Sequence, residues 1–326
     1  MSNPFFINHG PFNIVDIFKT LSISPINDQL NIYVHDIKDL TNADEKCITF
    51  FHSKKYKILA NNTKASYCIT SESLSKDLPK KCIPLIVKNV LVSTAHITEK
   101  FYPTSINDDF DKTAIIIEKT KYKNSVKFGN NVLIGENVKI GKNCSIGHNS
   151  IIERNVLIGN NCNIGSNTII RNTLIKNNVN ILDNCVIGKI GFGFFPNNIK
   201  NFKYPHIGVV IINENCEIGS GSTIDRGSMS NTIIGKNVFL DNQIHIAHNV
   251  KIGDNTIIAG QVGIAGSSVI GSNVKIGGQA GISGHLKIGN NVEIGGGSGV
   301  IKNIPDNSKV MGYPAKNFRE FLKDNK

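Results

Sequence analysis

In the stretch DNQIHIAHNVKIG, from Asp241 to Gly253, one acid and two histidines, His245 and His248, fall within eight residues. An imidazole with a carboxylate near it is an arrangement for general-base catalysis, in which the ring takes a proton from an attacking nucleophile. A further histidine, His285, follows His248 by 37 residues. A single histidine of this kind is most often a solvated surface residue. Three of them, His245, His248 and His285, could instead hold a metal across a subunit boundary, but that would leave Asp241 without a part. A serine nucleophile is unsupported, since no G-x-S-x-G elbow occurs. IGGGSGVIK at 294–302 lacks the Gly-Lys-Ser/Thr of a phosphate loop and reads as repeat corners.

What positions these side chains is a period of six. Large aliphatic or aromatic residues recur at Phe128, Ile134, Ile140, Ile146, Ile152, Ile158, Ile164 and Ile170. The register slips by one to Ile175, Ile181 and Ile187, then resumes at Ile212, Ile218 and Ile224. It slips again through DRGSMSNT and runs from Ile234 by sixes to Val300. Six matches neither the helical 3.6 nor the strand 2 taken alone. It matches a short strand plus a turn, with one inward side chain per unit. Three units close an 18-residue coil, and stacked coils pair backbone groups at about 4.8 Å per coil. Gly and Asn recur at the corners, where positive φ is tolerated. The fold class is therefore mainly β, a parallel β-helix of hexapeptide repeats. His248 and His285 are two coils and one residue apart, on nearly one edge and roughly 10 Å apart along the axis. Asp241, seven residues before His248, is placed about one face back, where its carboxylate could orient the imidazole.

Three segments follow from the pattern. Residues 1–105 show mixed strand and helix patterns and read as a small α/β domain. Residues 106–304 form the β-helix, interrupted at 189–206 by KIGFGFFPNNIKNFKYPH, an aromatic insertion suited to fold over a ligand. Residues 305–326 form a tail with a short charged helix from about Ala315. Seven cysteines without a CxxC pair argue against zinc or a disulfide framework and suit a reducing compartment. No basic-then-apolar leader and no run near ~20 apolar residues is present, so a soluble cytoplasmic protein with no transmembrane segment is expected. The net charge of +11 favours anionic partners, but the lysines are dispersed and nucleic acid is not expected.

IHIAHNVKIG (244–253), GSTIDRG (221–227), GFGF (191–194) and ISGH (282–285) together resemble the UDP-3-O-acylglucosamine N-acyltransferase family, over nearly the whole chain. The related UDP-N-acetylglucosamine O-acyltransferases lack the N-terminal domain. The resemblance implies a left-handed β-helix, an exception to the usual right-handed crossover, and a homotrimer. It implies transfer of a (R)-3-hydroxyacyl chain from acyl carrier protein to the 2-amine of UDP-3-O-(3-hydroxyacyl)glucosamine, in lipid A biosynthesis. It implies no metal and no resident cofactor, the 4'-phosphopantetheine arriving on the carrier. His248 corresponds to the catalytic base, Asp241 to its acid partner, and the backbone N–H of Gly266 to the oxyanion donor. His285 corresponds to a residue lining the acyl and phosphopantetheine channel, and Asn249 to a substrate-side residue of the same triplet. Phe50 and Tyr56 correspond to aromatics that sandwich uracil. Ser53 stands where the family has Asn, which puts its part in uracil reading in doubt. Gly299 stands where the acyl groove ends and a bulky residue can occur, so a longer chain is expected to be accepted. The tail is short, leaving the stretch Lys316–Lys326 and the overall charge to attract the acidic carrier. Two other readings are a CoA- or carrier-dependent acyltransferase acting on another nucleotide sugar, and a solenoid scaffold without catalysis.

Overall fold

The computed structural model describes residues 3–25, 31–122, 125–196 and 199–324. They divide into two compact units, one formed by the chain up to Asn107 with Gly193–Ile207, the other by Asp108–Phe192 with Gly208 onward.

In the first unit, a four-stranded parallel sheet runs in the order Asp36–Ile37, Cys47–Phe51, Tyr67–Thr70 and Ile83–Ile86. The two central strands are buried on both faces and read as near-continuous apolar runs, as parallel strands do. Helices Ile14–Leu21 and Val90–Phe101 contribute Ile14, Ile17, Ile97 and Phe101 to the core. Asn13 and Asn89 cap these helices, their side chains accepting from the N–H groups of Val15 and Val92. Of the aromatic insertion, Gly193–Ile207 clusters with this unit, while residues 189–192 stay with the second. The insertion's strands Phe194–Phe195 and Phe202–Lys203 form a hairpin, with Phe202 5.0 Å from the ring of His96.

In the second unit the six-residue clock becomes three parallel sheets. Ile146 pairs with Ile164, Ile152 with Ile170 and Ile158 with Ile175. The first face begins at Phe128, the second carries Ile134 and the third Ile140, and each inward residue stacks on its equivalent one coil on. The inward column is buried, Ile246, Ile258 and Ile264 being wholly inaccessible. Each such isoleucine contributes about 1.5–3 kcal/mol. At the corner between the third and first faces an asparagine takes positive φ in every coil, from Asn143 to Asn307. These amides hydrogen-bond to one another along the axis, as Asn143 to Asn161 at 3.2 Å and Asn273 to Asn291 at 3.1 Å.

The segment after Pro305 does not leave the helix. Lys309–Met311 pairs in parallel with Glu293–Ile294 as one more rung, then turns back against Lys316–Asn317. The final helix is Phe318–Asp324, three residues later than the sequence suggests.

Candidate active site

On the second face the residue before each inward side chain points outward. From one coil to the next these residues are Thr223, His245, Gly263, Gly281 and Gly299. The three glycines pave the floor of a groove of about 700 Å³. His245 heads the floor, its Nδ1 2.7 Å from Thr223 Oγ1. One wall is the corner bearing His248, Ala265 and Gly266; Gln279 and Gly297 come from the opposite corner; Phe192 and Tyr313 also line the groove.

His248 is held by its neighbour in the chain. The Asn249 side chain donates through Nδ2 to the Ser230 carbonyl at 2.7 Å, which fixes which end of the amide is oxygen. That oxygen accepts from the backbone N–H and hydroxyl of Ser228, at 3.1 and 2.8 Å, and lies 2.9 Å from Nδ1 of His248. A carboxamide oxygen can only accept, so Nδ1 carries the hydrogen and the lone pair of the neutral ring is on Nε2. A Cβ built on Gly266 would fall 2.8 Å from Nε2, so a side chain there would drive into the imidazole. At other corners the equivalent N–H is capped by a side chain: Asn160 caps Lys142, Asp254 caps Lys236 and Asn290 caps Ser272. Among the described residues the Gly266 N–H has no such cap.

Asp241 does not reach His248 within the chain. Its carboxylate accepts from the N–H groups of Asn242 at 2.8 Å and Gly260 at 3.0 Å. Seven residues are one face plus one, which sets the two on successive corners instead of side by side. Asn249 is buried and its amide is engaged by Ser228, Ser230 and His248, so within the chain it positions the imidazole. His285 is exposed two coils below and takes the corner position with φ 60°; it is not among the groove's lining residues. Gly299 is not an open groove end, because a Cβ there would fall 2.0 Å from Cδ2 of Tyr313. In the first unit His52 bridges the two expected aromatics, its ring 5.9 Å from Phe50 and 5.3 Å from Tyr56. Ser53 caps a short helical turn, its hydroxyl accepting from Lys55 N–H at 3.4 Å.

The described residues contain no cluster of three or more His, Cys, Asp or Glu side chains arranged to hold a metal. No described helix is long and apolar enough to cross a membrane.

Comparison with known proteins bears on this groove. Residues 31–100 match the family described as UDP-3-O-(3-hydroxymyristoyl) glucosamine N-acyltransferase. Residues 123–154, 137–172, 231–266 and 267–302 match bacterial transferase hexapeptide repeats. A UDP-3-O-acylglucosamine N-acyltransferase 2 of Legionella pneumophila (strain Paris) is 40% identical over 316 residues, 96% of this chain and 92% of that protein. This chain belongs to the UDP-3-O-acylglucosamine N-acyltransferase family. A second member, from Rickettsia peacockii (strain Rustic), is 39% identical over 77% of this chain and 74% of its own. The fold is shared with the UDP-N-acetylglucosamine acyltransferase of Campylobacter jejuni, at TM-score 0.53 and 24% identity, over 59% of this chain and 73% of that one. The solenoid is thus the left-handed parallel β-helix of hexapeptide transferases.

For an N-acyltransferase, sequence reasoning missed Ser228, Ser230, Gly263, Gly281 and Tyr313. The glycines carry a readable signal: they recur at 18-residue spacing just before inward residues, where other faces have Lys, Glu or Ile. The corner slot carries another. It holds Asn137, Asn155 and Asn172 in early coils, but Asn249, Ser267 and His285 beside the groove.

Proposed function

We propose that this N-acyltransferase moves a (R)-3-hydroxyacyl group from acyl carrier protein to the 2-amine of UDP-3-O-(3-hydroxyacyl)glucosamine, a step of lipid A biosynthesis. The observation that carries the reading is the pairing of His248 Nε2 with the uncapped N–H of Gly266 on the wall of a glycine-floored groove. Aminolysis of a thioester needs a base for the amine proton and a donor for the tetrahedral oxyanion. As the amine nitrogen bonds to the thioester carbon, His248 Nε2 takes its proton. The Gly266 N–H holds the oxyanion. Collapse breaks the C–S bond, and the imidazolium returns the proton to the departing thiolate. Removing such an oxyanion donor typically costs on the order of 10²–10³ in rate.

The acyl chain lies along Gly263 and Gly281, where it meets backbone and no side chain. Uridine is read by Phe50 and Tyr56 with His52, which replaces Ser53 in that part. No resident cofactor is required, since the phosphopantetheine belongs to the carrier. The enzyme works in the cytoplasm as a homotrimer, in which His285 serves the channel of a neighbouring chain. Within one chain Asp241 acts by bracing the corner at Gly260.

The test is acyl transfer from 3-hydroxyacyl carrier protein to UDP-3-O-acylglucosamine, wild type beside His248→Ala, with thermal unfolding of both. Activity present in the wild type and lost in a folded His248→Ala is expected. Activity surviving the substitution would remove His248 as the base. A wild type inert with carrier thioesters but active with acyl-CoA would replace the donor.

A further inference from the structure

The outward column of the second face ends on Gly299, and there the groove changes character. A Cβ built at Gly263 or Gly281 would meet nothing within 4 Å, whereas at Gly299 it would enter the ring of Tyr313. The ring therefore occupies the space of the side chain that residue 299 lacks. The backbone that carries Tyr313, itself 85% exposed, is held on both sides. Gly299 N–H donates to the Gly312 carbonyl at 3.0 Å, and Ala315 N–H donates to the Gly299 carbonyl at 2.7 Å. Gly312 N–H donates to Ser298 Oγ at 3.2 Å. Tyr313 thus sits at the apex of the hairpin formed by Lys309–Met311 and Lys316–Asn317, clamped to the last rung of the groove floor. Gly312 itself has φ 102°, a conformation that L side chains rarely adopt, so the apex is specified by sequence.

We propose that Tyr313, and not the residue type at 299, sets the length of acyl chain that this enzyme accepts. The inference rests on the proposed reading of the groove as the acyl channel. From the rung of His245 to that of Gly299 are three strand spacings, about 14 Å. A chain lying on the glycines ends against the phenol ring. A chain longer than this floor must displace the ring or bend away, and a shorter one leaves apolar surface uncovered. Gly299→Met is a poor probe of this idea, because the new side chain would compete with the ring for one space.

The experiment offers the enzyme an equimolar mixture of 3-hydroxyacyl carrier proteins differing by two carbons and reads the products by mass spectrometry. Wild type, Tyr313→Ala, Tyr313→Phe and Tyr313→Trp are compared, each with a melting curve. Removing the ring should move the preferred length upward by at least two carbons. At about fourfold per methylene (~0.8 kcal/mol), the ratio of longer to shorter product should rise at least tenfold. Tyr313→Phe should keep the wild-type profile, and Tyr313→Trp should shift it shorter. If Tyr313→Ala does not fold, the Phe and Trp variants carry the comparison alone. A length profile shared by every folded variant would overturn the assignment while leaving the acyltransferase reading intact. No product from the wild type at any length would strike that reading and the assignment with it.

Discussion

The carboxamide oxygen of Asn249 lies 2.9 Å from Nδ1 of His248, while its amide nitrogen is tied to Ser230. Through this pair the orientation and tautomer of the imidazole are set by a neutral, buried amide. The amide is in turn held by Ser228 and Ser230, residues of the register slip before the histidine's coil.

Asn249→Ala should therefore lower kcat by about 10²-fold, the low end of what a positioned base contributes, with KM for both substrates nearly unchanged. Asn249→Asp keeps an acceptor for Nδ1 and should lose less. Steady-state kinetics of the three proteins check this. A rise in KM with kcat preserved would make Asn249 a substrate contact after all.

Gly263→Val places a side chain on the groove floor, where its Cβ meets nothing within 4 Å. Valine suits a strand, and glycine within one costs roughly 0.5–1 kcal/mol. The melting temperature should hold or rise slightly while transfer of long-chain substrates falls at least tenfold. A variant that transfers them at the wild-type rate would show that the acyl chain lies elsewhere.

Much of this arrangement is legible in the sequence, for reasons that differ residue by residue. Ile246, Ile264 and Ile282 are readable because a column of inward side chains repeats with the coil. His248 is readable because the count of six puts it two residues past the inward Ile246, at an outward corner. The partner of its Nδ1 is not. Periodicity counts faces, and the hydrogen bonds of Asn249 come from DRGSMSNT, where the count slips. Within the chain Asp241 lies one corner from His248 and accepts from Asn242 and Gly260 instead, because seven residues are one face plus one. Tyr313 lies beyond Pro305, where the six-residue rule stops and only the folded hairpin shows what it touches.

Stability should depend on pH through Glu153, next to Arg171 at 3.0 Å. Burial pushes its carboxyl up to about 7, above the ordinary 4.5, against the pull of Arg171. The folded state thus holds a proton that the unfolded chain has released. The contribution to stability is full below about pH 4.5 and is lost as pH rises through about 7, by on the order of 2–3 kcal/mol. Thermal unfolding of wild type and Glu153→Gln should show the wild type falling relative to the variant between pH 5 and 8. A difference that does not vary with pH would count against this.

Docking of an acidic carrier should be weakened by salt, because charges more than about 8 Å apart are screened at physiological ionic strength. The final helix is not a purely basic patch: Lys316 pairs with Asp324, Glu320 lies beside Arg319, and Lys326 lies outside the described residues. The attraction must come largely from the dispersed net charge of +11. The carrier's KM should rise several-fold from about 50 to 300 mM salt while that of the nucleotide sugar changes less. A carrier KM indifferent to salt would remove charge as the source of affinity.

The rung at Lys309–Met311 and the strand that folds back on it have a consequence beyond the groove. A stack of parallel strands ends in a row of unpaired amides and carbonyls, a template on which another copy could grow. Here the closing segment covers that row on the first face, and Gly312 and Ala315 cover it on the second. A chain cut after Pro305 would lose its acyl stop and its end-cap together. Such a truncation should polymerise end to end before its altered selectivity could be seen, so the terminus that limits the substrate also keeps the solenoid finite.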